Sequence, residues 1–350
     1  MADVLLRVAA PVRDDGGLLS GSFIRIKMMK TALGRPVTLR KHLSLESSLG
    51  PRLVVEKHFA QLGHTYRHGR LYRWFEHQIT RPTLKLGLQM AGLYSRGARN
   101  AITPMVRRVS LEFPNLPAAL NGFQILHLSD FHIEGTPGLT ESLAPILSSL
   151  RPDVCVMTGD YRFEDHGSSE PVWPLMRKVV SAIHAPLGIF GILGNHDSSE
   201  IAHGMEEAGV RMLINEAVGI GDSDAPLWLA GVDDPFDYQC HDLARALELV
   251  PDGSFTVLLA HAPEIFEEAE SEGVNLYLSG HTHAGQIRLP GIGAVRQNAR
   301  CPRAYTAGHW THGRMQGYTS AGVGCSGLPV RFGCPPEIVL LELRRSPELP

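Results

Sequence analysis

The chain has 350 residues, 43% of them hydrophobic and 20% charged, with a formal net charge of −3. These values exclude an intrinsically disordered chain and are typical of a soluble globular protein with a substantial core. At this length we expect one large domain with an additional segment. The five cysteines are widely spaced and include no CxxC pair, which argues against a disulfide framework or a thiolate zinc site and indicates a reducing compartment.

The charge is distributed very unevenly along the chain. Residues 1–110 carry 19 Lys and Arg against 6 Asp and Glu, a net of +13, whereas the remainder carries 14 against 30, a net of −16. A basic arm of this kind is typical of contact with anionic lipids or nucleic acid. No apolar run is long enough for a secretory signal or for the roughly 18 residues of a transmembrane helix. The sequence therefore predicts a cytoplasmic protein that is soluble or peripheral at the inner face of a membrane.

The N-terminal third contains two predicted regions. Residues 1–70 show no sustained hydrophobic period, which predicts a poorly ordered basic region. Residues 71–110 predict an amphipathic helical segment, because polar residues recur along one side of an otherwise apolar helix. Such a helix either packs on its own domain or lies in a membrane interface, and the sequence leaves both open. The polar stripe consists of Lys85, Gln89, Gly92, Arg96 and Arg99.

Strands and helices alternate after the prolines at Pro104 and Pro114, so the predicted catalytic domain covers residues 111–350. This alternation predicts a layered α/β fold. Apolar runs predict strands at FQILHLS, DVCVMTG, PLGIFGILG, LWLAGV, FTVLLAH and VNLYLSGH. Helices are predicted at 139–150, 171–183, 198–208, 242–249 and 264–270, and short strands around Gly and Pro are predicted across 317–343.

Five polar blocks each follow one of the predicted strands, where α/β folds carry their chemistry. The i, i+2 spacing within two of them would direct both side chains to the same side of an extended chain. The blocks are Asp130-Phe131-His132, Gly159-Asp160, Gly194-Asn195-His196-Asp197, His261 and Gly280-His281-Thr282-His283.

Taken singly, most of these blocks have ordinary structural explanations. An isolated Asp-x-His, a Gly-Asp turn or a lone His261 is more commonly structural, whereas the GNHD block is more specific. Their joint occurrence predicts a functional site. Mixed Asp, His and Asn ligands without thiolate suit divalent Mn, Fe or Zn, and two such ions can hold a phosphoryl group between them. Two ions need a bridging carboxylate, and Asp160 is the candidate because it is the single ligand of its block.

The order D-x-H, G-D, G-N-H-D, H, G-H-T-H resembles the calcineurin-like metallophosphoesterase superfamily. The resemblance covers about residues 120–343. Its context in ILHLSDFH, LSGHTHAGQI and RFGCPPEIVLLEL is most similar to a bacterial branch of small phosphodiesterases and phosphohydrolases. Some relatives there act on lipid-linked nucleotide sugars. The resemblance implies a four-layer α-β-β-α sandwich, with two metal ions at one edge of the two sheets and with a basic, partly helical N-terminal extension outside the family pattern.

Carried over to this chain, the resemblance also implies roles for individual residues. His196 would contact the substrate phosphate and protonate the leaving group, as an imidazole with a pKa near working pH can do. Asp197 would orient a neighbouring group instead of binding metal. The first ion would be held by Asp130, His132, Asp160 and His283, and the second by Asp160, Asn195, His261 and His281.

These inferences predict a dinuclear-metal hydrolase that cleaves phosphate ester or pyrophosphate bonds by metal-bound hydroxide. Its substrate would be a phosphate-containing small molecule or a lipid-linked compound, and residues 71–108 would contact an anionic membrane surface. A nuclease is an alternative, although the acidic body and the 7% aromatic content disfavour nucleic acid as partner. An inactive binding or scaffold protein is a second alternative, which would require ligands to be lost.

Overall fold

A computed structural model describes residues 44–61, 74–165, 167–222, 224–294 and 298–346, together with the backbone of four two-residue strands nearer the N-terminus. Those strands are β1 (Val4–Leu5), β2 (Arg25–Ile26), β3 (Met29–Lys30) and β4 (Pro36–Val37). The greater part of the predicted poorly ordered region 1–70 lies outside the described residues. The described part of that region contains a 17-residue helix, Leu45–Gln61.

Two six-stranded mixed sheets form the centre of the structure. The first sheet consists of β5 (Met105–Phe113), β6 (Gln124–Leu128), β7 (Val154–Met157), β8 (Ile189–Gly191), β9 (Arg211–Met212) and β18 (Glu337–Arg345), in the spatial order β5-β18-β6-β7-β8-β9. The second consists of β10 (Glu216–Ile220), β11 (Leu227–Gly231), β12 (Thr256–Leu259), β13 (Leu276–Ser279), β16 (Gly308–His312) and β17 (Met315–Thr319), in the order β10-β11-β12-β13-β17-β16. A small hairpin, β14 (Arg288–Leu289) and β15 (Gly293–Ala294), lies between β13 and β16 in the chain.

Helices connect the strands and cover the outer faces of both sheets. The described helices are α1 (Leu45–Gln61), α2 (Arg81–Met90), α3 (Tyr94–Ala101), α4 (Leu139–Ser149), α5 (Val172–Ser181), α6 (Ser199–Glu207), α7 (Leu243–Leu247) and α8 (Phe266–Ser271). A π-helical stretch at Glu76–Thr80 precedes α2, and short 3-10 turns occur at Ala118–Leu120, Ile133–Gly135, Pro263–Ile265, His283–Gly285 and Arg303–Tyr305.

The side chains of the central strands alternate between two separate cores. In β7, Val154 and Val156 pack between the two sheets, while Cys155 and Met157 pack against the helices outside the first sheet. In β13, Tyr277 points in the same way to the helices outside the second sheet. Burial on both faces explains why these strands appear as continuous apolar runs. The four-layer α-β-β-α arrangement is confirmed.

The C-terminal segment differs from the predicted short strands. β18 is nine residues long and lies inside the first sheet, parallel to β5 and antiparallel to β6. β5 was not predicted as a strand, because it is an edge strand whose exposed side chains, including Arg107 and Arg108, interrupt the apolar pattern. The predicted boundary at residue 110 falls inside this strand. The division of the chain into units stays a prediction.

The predicted amphipathic helix is also divided in two. Gly92 has a φ of 67°, in the left-handed region that glycine adopts without steric cost, and it separates α2 from α3. None of the helices in the described part of the chain is both long enough and apolar enough to cross a bilayer.

Candidate metal centre

The predicted ligands follow the carboxyl ends of strands from both sheets. β6, β7 and β8 contribute from the first sheet, and β12 and β13 from the second; within each sheet these strands are parallel neighbours. Parallel strands bring their carboxyl ends to one edge, so residues distant in sequence meet there. All seven candidate ligands are buried, between 0% and 6% exposed: Asp130, His132, Asp160, Asn195, His261, His281 and His283.

The first group of ligand atoms comprises Asp130, His132, Asp160 and His283, here called the first cluster. His283 Nε2 lies 3.4 Å from Asp130 Oδ1 and 3.1 Å from His132 Nε2. His132 Nε2 lies 3.5 Å from Asp160 Oδ2. The four side chains thus converge on one point from three different strands.

The second cluster comprises Asp160, Asn195, His261 and His281. His261 Nε2 lies 3.3 Å from Asp160 Oδ2 and 3.0 Å from Asn195 Oδ1, and Asn195 Oδ1 lies 2.9 Å from His281 Nδ1. Asp160 Oδ2 therefore faces both clusters. The other oxygen, Oδ1, accepts the backbone N–H of His196 at 2.8 Å, which fixes the orientation of the carboxylate.

The hydrogen bonds around the clusters turn the Nε2 atoms of two histidines towards the other candidate ligand atoms. His132 Nδ1 donates to the carbonyl oxygen of Arg162 at 2.9 Å, and His261 Nδ1 donates to that of Thr158 at 2.7 Å. In a neutral imidazole the opposite nitrogen, Nε2, then carries a lone pair. His261 Nε2 faces two acceptor oxygens, Asn195 Oδ1 and Asp160 Oδ2, so this position requires either a proton on Nε2 or a cation that takes the place of that proton. The donor set therefore fits a divalent ion, and without thiolate it suits Mn, Fe or Zn.

The electrostatics of the site also favour a cation. Burial lowers the pKa of His132 to about 3, which keeps its ring neutral. Burial opposes protonation of His261 as well, but the negative charge of Asp160 and the hydrogen bond to it raise the pKa of His261 to about 10. Asp160 is itself ionised, because the charges of His261 and His196 outweigh burial and hold its pKa well below the usual value. A buried carboxylate thus attracts positive charge to the point where the two clusters meet.

The backbone of the site is strained in a way that the sequence did not reveal. Nine non-glycine residues of the described chain have positive φ, and five of them are predicted ligands. The expectation that Asp130 and His132 extend from one side of a regular strand is therefore wrong. β6 ends at Leu128, and both residues adopt left-handed conformations that turn their side chains into the site. Strain of this kind is concentrated at functional sites. The five residues are Asp130, His132, Asp160, His281 and His283.

Two of the motif glycines are needed because other groups approach them closely. A Cβ at Gly194 would overlap the carboxylate of Asp160, and a Cβ at Gly280 would overlap Ser129 and the carboxylate of Asp130. Any side chain there would displace a candidate ligand.

His196 lies at the edge of the clusters and is partly buried. Its Nδ1 donates to the carbonyl oxygen of Phe163 at 2.7 Å, and its ring centroid is 4.7 Å from that of His132. Although burial opposes it, the charges of Asp160 and Asp165 raise the pKa of His196. One nitrogen of His196 also lies within 4.8 Å of ligand atoms of His132 and Asp160, so this ring is close enough to reach an ion as well as a substrate.

The carboxylate of Asp197 lies behind the clusters and binds backbone. It accepts the N–H groups of Asp160 and Gly194, both at 2.8 Å, and that of Tyr161 at 2.9 Å. Burial and the neighbouring charge of Asp160 raise the pKa of Asp197 to about 6. Asp197 thus joins the loop that carries Asp160 to the loop that carries Asn195.

Several residues around the site had no predicted role. Glu134 Oε1 accepts the backbone N–H of Phe163 at 2.7 Å, so it supports the loop beside His196. His127 is buried inside β6 with Nε2 2.9 Å from Thr158 Oγ1, as a packed residue. Arg52 and Arg331, both fully buried, contact backbone near the clusters. Arg331 lies in the RFGCPPE block, a signal that could have found it, whereas no motif surrounds Arg52.

Comparison with known proteins gives a consistent result. A profile of the Metallophos family, described as calcineurin-like phosphoesterase, matches residues 123–285. The metallophosphoesterase YkuE of Bacillus subtilis is 31% identical over 66% of this chain and 82% of that protein. Phosphodiesterase YaeI of Escherichia coli is 30% identical over 63% of this chain and 82% of that protein. A transmembrane protein with metallophosphoesterase domain from Bos taurus is 32% identical over 70% of this chain and 58% of that protein.

Similarity to solved structures is more distant. A 5'-nucleotidase precursor from Thermus thermophilus is 12% identical, with a TM-score of 0.38 over 63% of this chain. The chain spans about half of that protein, 54% of its length.

Proposed function

The chain belongs to the calcineurin-like phosphoesterase family and is a metallophosphoesterase, and from that premise we propose that it cleaves phosphate ester or pyrophosphate bonds with two divalent ions. The observation that carries this proposal is Asp160 Oδ2, which lies 3.5 Å from His132 Nε2 and 3.3 Å from His261 Nε2. A carboxylate oxygen in that position can bridge two ions. The first cluster would hold one ion and the second cluster the other.

The chemistry divides between the ions and the protein. Bound divalent ions lower the pKa of water and neutralise charge on a phosphoryl group. The protein fixes the ligands before substrate arrives, since His132 and His261 are each held through Nδ1 by a backbone carbonyl. Neither a serine nor a cysteine nucleophile is part of the predicted blocks, which favours direct attack by water over a covalent phosphoenzyme.

We assign the leaving-group proton to His196. Its Nδ1 donates to the carbonyl oxygen of Phe163, so the ring is oriented and Nε2 is the nitrogen that can face the substrate. Negative charge nearby favours the protonated ring, which can contact a phosphate oxygen and then donate its proton to the leaving oxygen.

The substrate class that we propose is a phosphate-containing small molecule or a lipid-linked phosphate. The name of the YaeI relative is that of a phosphodiesterase. A lipid-linked substrate is supported by the exposed residues before and within α2, because Phe75, Ile79, Leu86 and Met90 recur at i, i+4, i+11 and i+15 and are 40–81% exposed. This spacing aligns them roughly along one side of the helical segment. We call these four residues the apolar stripe.

Exposed basic residues lie on the same helix as part of the apolar stripe and on the helix that follows it. No residue of α2 is buried, and Lys85, Arg96 and Arg99 are exposed on α2 and α3. Apolar side chains beside basic ones are typical of helices that lie in an anionic membrane interface, where each Lys or Arg contributes about 1 kcal/mol. The five cysteines are free, which supports a reducing compartment. We therefore propose a peripheral location on the cytoplasmic face of a membrane.

The apolar stripe is connected to the metal centre through one loop. Arg81 Nη1 lies 3.1 Å from Glu164 Oε1, and the Arg81 guanidinium is 5.3 Å from the centre of the Phe163 ring. The Phe163 carbonyl is the acceptor that orients His196. We propose that a substrate held in a bilayer against the stripe approaches His196 along this loop.

The alternatives have less support. A nuclease would need a groove for nucleic acid, and the acidic charge of residues 111–350 disfavours one. An inactive scaffold would not need seven buried ligands held in converging positions.

A metal-reconstitution experiment tests the reaction. Chelated protein is assayed with Mn, Fe or Zn on an aryl phosphodiester, an aryl monoester and a lipid-linked nucleotide diphosphate. We expect hydrolysis that needs metal, that Asn195→Ala and His196→Ala abolish, and that His184→Asn, a change at an exposed histidine, leaves intact. Wild-type and Asn195→Ala proteins that are equally inactive with every metal would overturn the proposal.

A vesicle flotation experiment tests the membrane surface separately. We expect the full chain to float with phosphatidylglycerol vesicles and the double variant Leu86→Glu/Met90→Glu to lose this binding while keeping aryl phosphodiester hydrolysis. Val54→Glu, a change at a 68% exposed residue of α1, is the matched control. Unchanged flotation of the double variant would show that the apolar stripe is not the membrane surface.

A further inference from the structure

A buried arginine from helix α1 lies behind the loop that carries Asn195 and His196. Arg52 is fully buried, although it precedes the family match at residues 123–285 by 71 positions. Its Nη2 donates to the carbonyl oxygens of Gly194 at 2.7 Å and Asp197 at 2.5 Å. These two residues flank Asn195 and His196 directly, so one guanidinium nitrogen holds both ends of the loop.

The other side of the guanidinium holds a second loop against the same cluster. Arg52 Nη1 donates to the carboxylate of Asp233, and the guanidinium lies 3.7 Å from the centre of the Tyr238 ring. Between these two residues lies Asp237, whose Oδ2 accepts a hydrogen bond from Asn195 Nδ2 at 3.0 Å. That bond turns Asn195 Oδ1 towards His261. Arg52 is thus connected to the amide ligand through both the 194–197 and the 233–238 loops.

The position of Arg52 is determined by the docking of the whole helix. Glu56, one turn later, accepts hydrogen bonds from the backbone N–H and the hydroxyl of Ser199, both at 2.7 Å, at the start of α6. Leu49 is fully buried in the core that covers the first sheet. α1 is therefore packed on both sides of Arg52.

From this geometry we infer that Arg52 is a positioning residue for the reaction proposed above, on which this inference rests. Arg52 holds the loop so that Asn195 Oδ1 faces the second cluster and the His196 ring faces the substrate. The planar guanidinium reaches Asp233 through Nη1 and the two carbonyls through Nη2, whereas a lysine has a single nitrogen and cannot occupy both positions. The N-terminal helix is then part of the catalytic unit.

The test compares Arg52→Met and Arg52→Lys with Leu49→Ala, which disturbs α1 without touching the loop. Measured on the full chain with Mn, we expect Arg52→Met to lower kcat by roughly 10–100-fold with little change in KM, as loss of groups that orient ligands commonly does. Equilibrium dialysis should show weaker binding of one of two Mn equivalents. Leu49→Ala should lower Tm but keep kcat and both Mn equivalents in the folded protein, and Arg52→Lys should recover only part of the loss.

Two further measurements keep the inference testable if Arg52→Met does not fold. The double variant Arg52→Met/Asp233→Asn removes both buried charges together, so we expect it to fold. The 194–197 loop in this variant still lacks the hydrogen bonds from Arg52. Added methylguanidinium should raise kcat of Arg52→Ala but not of Leu49→Ala. Two tightly bound Mn equivalents in folded Arg52→Met or in the double variant, or equal kcat losses in Leu49→Ala and Arg52→Met, would overturn the inference. Because Mn binding is measured without substrate, failure of the proposed hydrolysis leaves this result interpretable.

Discussion

The two clusters share Asp160 but are supported by different parts of the chain. The backbone of Asp130, in the first cluster, is hydrogen-bonded to the loop that follows β17, since the N–H of Gly324 donates to its carbonyl at 2.8 Å. The buried Arg331 bonds that loop in turn through the carbonyls of Ala321 and Gly324. Asn195, in the second cluster, is supported by the loop that Arg52 of the N-terminal helix contacts. The contacts that hold the first cluster thus come from the predicted catalytic domain, residues 111–350. Those that hold the second cluster come partly from α1, which lies outside that domain.

This difference shows that the catalytic unit is larger than the set of motifs. An ion at the first cluster is connected to α1 only indirectly, through the shared Asp160 that the N–H of His196 orients, whereas an ion at the second cluster also depends on Asn195 in the loop that Arg52 of α1 holds. The contribution of residues 111–350 and that of α1 can therefore be separated. This needs variants that affect both clusters, variants that affect only the first, and variants that affect only the second.

The largest effect is expected from Asp160→Asn, which removes the shared carboxylate. An amide lacks the negative charge that attracts two cations, so we expect kcat/KM to fall at least about 10³-fold. Metal analysis should show that fewer than two ions stay bound, with the protein still folded by circular dichroism. Asp252→Asn, a change at an exposed carboxylate, is the control. Two retained ions with activity within tenfold of wild type would remove Asp160 from the bridging position.

Asp197→Asn should reduce activity less severely than Asp160→Asn. Asp197 is not a candidate ligand, and its substitution acts on both clusters by loosening the two loops that carry Asp160 and Asn195. An asparagine amide would direct an N–H towards backbone N–H groups of Asp160 or Gly194 that now bind a carboxylate. We expect a loss of about 1–3 kcal/mol in the free energy of unfolding and a kcat reduction of roughly 10–100-fold. Urea unfolding and steady-state kinetics measure the two. An unfolding free energy equal to that of wild type would mean that the backbone hydrogen bonds of this carboxylate are not needed.

The positions of the candidate ligands could be found in the sequence, because these residues follow strands that are buried on both faces and therefore appear as apolar runs. β6, β7, β12 and β13 are confirmed as strands, and the ligands that follow them meet at one edge. The resemblance to the calcineurin-like family also implied roles for His196 and Asp197, because the GNHD block that contains them is intact.

The sequence could not predict contacts that depend on distant parts of the chain. Arg52 lies in a helix with no motif around it. Its partners at Gly194 and Asp197 are backbone carbonyls, which every residue type has, so the sequence does not mark them. The positive φ values of Asp130 and His132 were equally hidden, because non-glycine residues rarely adopt them and only the packed site stabilises them.

A substitution of Arg331 should weaken metal binding at the first cluster only. Arg331→Lys keeps the charge but replaces three donor nitrogens, which now bond the carbonyls of Gly324, Cys334 and Ala321, with a single one, so the loop beside Asp130 is held less firmly. We expect a kcat reduction of about tenfold, at the lower end for residues that orient ligands. Dialysis against Mn should show one weakened equivalent. Joint substitution with Asn195→Ala should then leave no tightly bound ion. If the double variant keeps one, Arg331 and Asn195 act on the same ion, and the assignment of separate supports is wrong.

The smallest effect is expected from Glu56→Gln, and it distinguishes the docking of α1 from the contact made by Arg52. The Glu56 carboxylate binds the first N–H of α6, where a negative charge is worth about 0.3–1 kcal/mol. Glutamine keeps an acceptor oxygen but loses the charge, so the unfolding free energy should fall by that amount. Because Arg52 still bonds Gly194 and Asp197, kcat and both Mn equivalents should stay within about twofold, a change below 0.5 kcal/mol. If Glu56→Gln lowered kcat as much as Arg52→Met, the second cluster would depend on helix docking as a whole and not on the guanidinium.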